Sequence, residues 1–329
     1  MLRIELDEAT LSRTRIAISP LWETVCALSL LGKPAPAPWP YTVWAANARR
    51  VLDARPADDP LRLYVDIGGG FPDCLLPVPA AHATIADELA RIRDTPADLA
   101  LAQYAAHFTD GMPELHRPFV TDTRAAFARV ADSLAAFWRD AMAPYWPAMR
   151  TALEEEVLHR ARLLAAEGPD ALLSDLHERV TWQRPVLTLH KLSDFTVRAT
   201  DKRLLLVPVL FSHGMLACST DDPEVIAVTY AARGNAVLAG GAGHTARESD
   251  SDRLALLLGR GRTTILRSLT VPATTAGLAA TLGLAPSTVS EHLSVLVEAG
   301  VAHRHRVGRQ VLYGLEPAGL ALVSLVSPG

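Results

Sequence analysis

At 329 residues the chain is too long for one small domain and fits about two, and 49% hydrophobic with 21% charged residues is the balance of a folded globular protein, not of a disordered one. A net charge of −4 argues against a protein that coats nucleic acid over its whole surface. Cys26, Cys74 and Cys218 stand far apart with no CxxC pair, so neither a zinc knuckle nor a disulfide framework is written into the chain.

The opening stretch, MLRIELDEATLSR, lacks the basic-then-apolar profile of a secretory signal. No apolar run reaches the roughly 18 residues of a membrane span. A cytoplasmic protein is expected, with no membrane, metal or cofactor.

Leu2–Leu6 reads as a short strand. A helix follows from Pro20 (PLWETVCALSLLG), with proline in its first turn and glycine at its end. KPAPAPWP, Lys33–Pro40, is a stiff extended connector. Tyr41–Ala54 and Ala83–Arg93 carry helical patterns, and Leu61–Ile67 (LRLYVDI) reads as a strand or a short buried segment. Two long helices come next. The first runs from Asp122 to Met142, with Phe127, Val130, Leu134 and Phe137 at helical spacing; the second follows Pro144 and Pro147 and ends near Ala166. From Val180 to Ala231 the pattern turns to short β-branched runs, expected to form an antiparallel sheet. Residues 234–251, rich in glycine and small polar residues, read as a linker.

Candidate chemistry in this body is sparse. Gly68-Gly69-Gly70 lacks the spacing and the following Lys-Ser/Thr of a phosphate loop and reads as a tight turn. Asp110, Glu114 and His116 are better explained as polar loop residues than as metal ligands. Glu155 and His159 share a helix face inside EEEVLHRAR, a stretch that reads as solvated. Ser212-His213-Gly214 has no nucleophile-elbow context. No catalytic constellation emerges. The six tryptophans (22, 39, 44, 138, 146 and 182) all precede the linker; most read as core, and some could line an apolar pocket for a small-molecule effector.

Charge changes sign along the chain. From Ser251 to Gly329 seven arginines face four acids, a net of +3 that leaves −7 for the remainder. A mildly basic tail on an acidic body suits local DNA contact.

Within that tail, TTAGLAATLGLAPSTVSEHLSVLVEAG reads as helix, turn, helix. Thr274 or Thr275 caps the first helix, Leu278, Ala279 and Leu282 form its apolar stripe, and Gly283 ends it. Pro286 and Ser287 open the second. Val289, Leu293 and Leu296 recur at i, i+4, i+7 and must face inward, which turns Ser287, Thr288, Glu291 and Ser294 outward, with Ser290 and His292 at the edges. Short polar side chains at the start of such a helix suit the major groove. Glu291 either accepts from a cytosine amino group or is simply solvated. VAHRHRVGRQVLYGL reads as a hairpin turning at Val307-Gly308, with Arg304, Arg306 and Arg309 near its tip to neutralise phosphates or enter the minor groove, and with His303 and His305 either touching phosphate or on its outer face.

These residues resemble the ArsR-type winged helix. Ser287, Ser290, His292, Leu293, Leu296, Ala299, Gly300 and Val301 occupy the places of its S-x-x-S-x-H-L-x-x-L-x-x-A-G-L pattern, after LLLGRGRTTILRSL and before the basic hairpin. The whole arrangement also resembles regulators of GC-rich bacteria in which a long N-terminal domain of unknown function, with a PLWE segment like Pro20–Glu23, precedes that winged helix. The resemblance covers about a quarter of the chain. It lacks the cysteine pair of the metal-sensing members, since Gly277, Leu278 and Ala279 stand there.

The expectation is therefore an α+β protein. A mixed helical and antiparallel-sheet N-terminal domain (1–245) would serve dimerisation or effector binding, followed by a winged helix-turn-helix (251–322). The resemblance implies a sequence-specific double-stranded DNA-binding regulator, a repressor and a homodimer. The alternatives are an enzyme, or an interaction scaffold whose winged helix serves protein contacts.

Overall fold

Residues 1–66, 70–109, 111–190, 194–239, 253–307 and 310–325 are described by the structure, a computed structural model. Two units are distinguishable. One comprises Met1–Pro34, Ala48–Ala143 and Leu153–Ala232; the other comprises Ala35–Asn47, Pro144–Ala152 and Arg233–Gly329.

The chain begins with β1 (Leu2–Glu5), α1 (Glu8–Ser12), β2 (Arg15–Ile16) and α2 (Pro20–Leu31). Helices α3 (Thr42–Asp53), α4 (Arg62–Val65), α5 (Ile85–Arg93), α6 (Ala97–His107), α7 (Pro118–Thr121), α8 (Thr123–Phe137), α9 (Trp146–Glu167) and α10 (Pro169–Leu173) follow. Then come β3 (Val180–Gln183), β4 (Val186–Leu189), β5 (Phe195–Arg198), β6 (Arg203–Val209), β7 (Cys218–Ser219) and β8 (Val225–Ala231). The expected helices are present within a few residues, and a π-helical turn at Trp138–Met142 extends α8 to the predicted end. The segment expected as a strand or a short buried segment, Leu61–Ile67, contains the short helix α4, whose Leu63, Tyr64 and Val65 are buried, and its Ile67 lies outside the described residues. Helix α6 has no counterpart in the sequence reading, because ADLALAQYAAH carries weak amphipathicity and buries only Ala100 and Tyr104.

The strands correct the expectation of an antiparallel sheet. They form two four-stranded sheets, β3-β4-β1-β5 and β2-β6-β8-β7. β1 pairs parallel with β5, and β6 pairs parallel with both β2 and β8. In these two sheets, among the described residues, β3–β4, β1–β4 and β7–β8 pair antiparallel, so both sheets are mixed. The reason is burial: β6 and β8 are buried along nearly their whole length, and continuous apolar runs are the pattern of parallel strands covered on both faces.

All twelve residues of α2 are buried, so its apolar character runs around the whole helix. Ser19 caps it, accepting from the Trp22 N–H at 3.0 Å. Its one carboxylate, Glu23, is fully buried and accepts the Leu210 and Phe211 N–H groups at 2.5 and 3.3 Å, just beyond the end of β6. Glu88 of α5 performs the reciprocal task at the helix start, accepting from Ser19 Oγ at 2.5 Å and from the Leu21 N–H at 2.8 Å. Desolvation raises both carboxyls above their ordinary range, Glu23 to about 8 and Glu88 to about 7, against the lowering effect of those hydrogen bonds.

EEEVLHRAR also departs from its reading as a solvated stretch. Glu156 and Arg160 are buried and bond at 2.8 Å. Arg160 further donates to the carbonyls of Ser174 and Asp175 at 2.9 and 3.1 Å and lies over the Tyr230 ring. The carbonyls beyond α10 supply the acceptors that make this burial tolerable.

The raised carboxyls give a signed prediction. Their neutral forms stabilise the fold fully below about pH 4.5, and that contribution is lost as pH rises through about 7 to 8. The urea midpoint should fall from pH 5 to pH 9, and Glu23→Gln should flatten the upper part of that fall. An unchanged slope in the variant would contradict the assignment.

Candidate nucleic-acid interface

The C-terminal part is built from α11 (Arg253–Leu258), α12 (Arg260–Ser268), β9 (Ala273–Thr274), α13 (Thr275–Leu282), α14 (Pro286–Glu298), β10 (Ala302–Val307), β11 (Gln310–Leu315) and α15 (Pro317–Leu325). One core joins them. Leu254, Ile265, Leu266, Leu269, Leu278, Val289, Leu293 and Leu296 are all essentially removed from solvent.

Local chemistry explains the helix pair. Thr274 is the N-cap of α13 and accepts from the Gly277 N–H at 3.0 Å, while Thr275 is the first helical residue. Gly283 ends α13 in the left-handed conformation (φ 66°), and the Leu284 N–H closes onto the Ala279 carbonyl at 3.1 Å. Leu284 packs against the core, as a plug in the turn. Pro286 opens α14 at a position where its missing N–H costs nothing. At the other end Gly300 is again left-handed (φ 70°), and the Val301 N–H bonds the Leu296 carbonyl at 3.1 Å.

The inward stripe of α14 is Val289, Leu293 and Leu296. Ser287, Ser290, Glu291 and Ser294 are exposed, and Thr288 and His292 are half-buried. Ser294 Oγ donates back to the Ser290 carbonyl at 2.9 Å, a bond available to a hydroxyl one turn along the helix. The His292 ring turns toward α12 and lies against Gly261.

β10 and β11 pair antiparallel from Ala302↔Leu315 to Val307↔Gln310. Val307 pairs with Gln310 and so belongs to the ladder rather than to the turn expected at Val307-Gly308, and Gly308 lies outside the described residues. Arg304 and Arg306, two residues apart, share one face and are exposed. Arg309, like Gly68, Gly69, Asp110 and most of the predicted linker, lies outside the described residues. His303 and His305 are exposed on the opposite face; His303 approaches Glu316 at 3.4 Å and covers Gly314. Sequence reasoning missed β9, a two-residue strand that pairs Thr274 with Leu312 and Ala273 with Tyr313. Thr274 thereby joins the hairpin sheet through its backbone and caps α13 through its side chain. Two residues are too few for a periodic signal.

The candidate reading residues Ser287, Thr288, Ser290, Glu291 and Ser294 thus lie on one helix, with Arg304 and Arg306 on the adjoining hairpin. Two further elements escaped the sequence reading. The Gly234 N–H donates to the Thr281 carbonyl at the end of α13 at 3.3 Å, and Asn235 Nδ2 donates to the buried Tyr41 hydroxyl at 3.1 Å. Of the weaker candidates, Glu114 is ion-paired with Arg117, and His116 is buried between Tyr104 and Phe108. Gly214 closes a turn onto the Phe211 carbonyl at 2.9 Å. A groove of about 350 Å³ is lined by Cys74, Pro77, Arg91, Asp94 and Leu99 and involves none of the tryptophans. Trp22 and Trp44 are fully buried, whereas Trp39, Trp138, Trp146 and Trp182 keep part of their surface exposed.

A helix-turn-helix core closed by a three-stranded sheet, β10-β11-β9, is a winged helix-turn-helix. Residues 261–304, from α12 into the wing, match the family described as bacterial regulatory protein, arsR family. An ArsR-like helix-turn-helix of this kind supports a DNA-binding transcription regulator. No curated protein and no solved structure matches the chain. Among the described residues, no helix is long and apolar enough to cross a membrane.

Two substitutions test the local account. Leu293→Ala should cost roughly 2–5 kcal/mol through lost burial and the cavity left behind. Gly283→Ala should cost about 1 kcal/mol, because a side chain is forced into the left-handed region. Urea denaturation of each variant measures both, and a near-neutral Leu293→Ala would contradict the orientation of α14.

Proposed function

We propose that the chain is a sequence-specific regulator that binds double-stranded DNA, a homodimeric repressor of the cytoplasm. In this reading α14 enters the major groove and reads through Ser287, Thr288, Ser290, Glu291 and Ser294, with His292 at the margin. Thr274 and Thr275 face phosphates at the start of α13, and Arg304, Arg306 and Arg309 hold the backbone or the minor groove from the wing. One observation carries the reading: the polar face of α14 is open to solvent beside a hairpin bearing exposed arginines. A helix that is buried on one side and lined on the other by short hydroxyl side chains brings its backbone close to base edges.

The division of labour proposed is a body of residues 1–245 for dimerisation and effector response and a reader of residues 251–322. Two reading helices in a dimer would meet half-sites about one helical turn apart, and a small molecule that favoured one spacing would shift operator affinity. The buried apolar cluster shared by α11 to α15 supports a reader with a core of its own.

Gel shifts on the chain's own upstream region, repeated over a range of salt, test the reading. Arg306→Ala should weaken binding to all sequences alike and reduce the salt slope by about 1, whereas Ser287→Ala or Thr288→Ala should change preference at one position of each half-site. Binding unaffected by all three substitutions would refute the assignment of helix and wing.

A further inference from the structure

Within the family-like pattern His292 occupies a conspicuous place, and its position on α14 puts it at the edge of the reading face. Its surroundings point elsewhere. The ring is half-buried and presses on the first turn of α12: a methyl group at Gly261 would stand 2.7 Å from Nε2, 3.3 Å from Cδ2 and 3.5 Å from Cε1 of His292. At the first of those distances something must shift, and what meets the methyl group is the tip of the imidazole, which would have to turn aside. Gly261 lies in the ordinary helical backbone of α12, where glycine is the weakest helix former apart from proline. What its missing side chain provides is room.

Two contacts therefore hold α14 against the same neighbour. Leu293 and Leu296 share one buried cluster with Ile265 and Leu266 of α12, and one residue before Leu293 the imidazole lies against Gly261 of α12. The core stripe decides which side of α14 faces in. A flanking ring seated on a glycine limits how far the helix can roll about that stripe, and so limits the angle at which Ser287, Thr288 and Glu291 present themselves.

We propose that His292 is a positioning residue: seated on Gly261, it sets the attitude of the reading helix and makes no contact of its own with base or phosphate. The inference rests on the reading of α14 as the DNA-reading helix, and it removes His292 from the set of direct contacts.

The test uses the full-length chain and a duplex selected from random DNA, with binding measured across salt and thermal melts of every variant confirming that it is folded. His292→Phe keeps a ring over Gly261 and should bind within about threefold of the parent, whereas His292→Ala should lose about tenfold, equally for every sequence and with the salt slope unchanged. Gly261→Ala should lose about tenfold through overpacking, and Gly261→Ala combined with His292→Ala should bind more tightly than Gly261→Ala alone, because the colliding ring is gone. Weak binding by the Phe variant, a changed base preference, a salt slope reduced by about 1, or purely additive losses in the double variant would each overturn the proposal. A parent chain that binds no selected duplex would overturn the DNA-reading assignment together with it. A parent that binds while the compensation fails overturns the positioning role alone.

Discussion

The C-terminal architecture depends on the burial of Val289, Leu293 and Leu296 against α12 and α13. Those three side chains recur on one side of α14, and a helix has only one rotational setting that buries such a stripe. Every property of the opposite face follows from that setting, including the outward placing of the serines and Glu291. The punctuation around the stripe is equally constrained. Two left-handed glycines, Gly283 and Gly300, turn the chain at the ends of α13 and α14, and Thr274 joins the hairpin sheet to the helix pair by capping one while pairing with the other. Reader and wing are thereby parts of one packed object.

The first unit uses a different device. A helix apolar on all sides cannot be oriented by hydrophobic burial alone, because every rotation buries as much. In α2 the orientation comes from polar groups: Glu23 meets two backbone N–H groups beyond β6, and Glu88 meets the first turn from outside. Buried acceptors aimed at otherwise orphaned donors specify one arrangement, since any other leaves them unsatisfied. The PLWE segment is thus accounted for by architecture: proline at the first turn, a fully buried Trp22 whose indole N–H donates to the Pro77 carbonyl at 3.0 Å, and a carboxylate that secures the end of a strand. The buried Glu156–Arg160 pair does similar work at the end of α10, where the carbonyls of Leu172, Ser174 and Asp175 converge on one guanidinium.

The same logic separates the half-buried His292 from the serines around it. Helical spacing assigns a residue to an angular position on its own helix, and by that measure His292 belongs to the rim of the polar face. Whether a rim residue turns toward solvent or toward a neighbouring helix depends on what that neighbour leaves open. Here it leaves a glycine.

Taken alone, the sequence determined what is local or periodic. That includes the long helices of the body, the cap of α13 and its left-handed Gly283, the inward stripe of α14 and its outward polar face, and the basic hairpin. Each is a property of a few consecutive residues, dictated by steric freedom, capping chemistry or the 3.6-residue period. Tertiary structure decided everything that required a distant partner. Parallel pairing of β1 with β5 and of β6 with β8, the two-residue strand β9, the burial of Glu156 and Arg160 inside a charged run, and the seat of His292 on Gly261 each join segments remote in the chain or on different elements. A charge or an aromatic ring carries no mark of whether its complement will be water or a backbone folded back from elsewhere, so those contacts could be settled only by the packed chain.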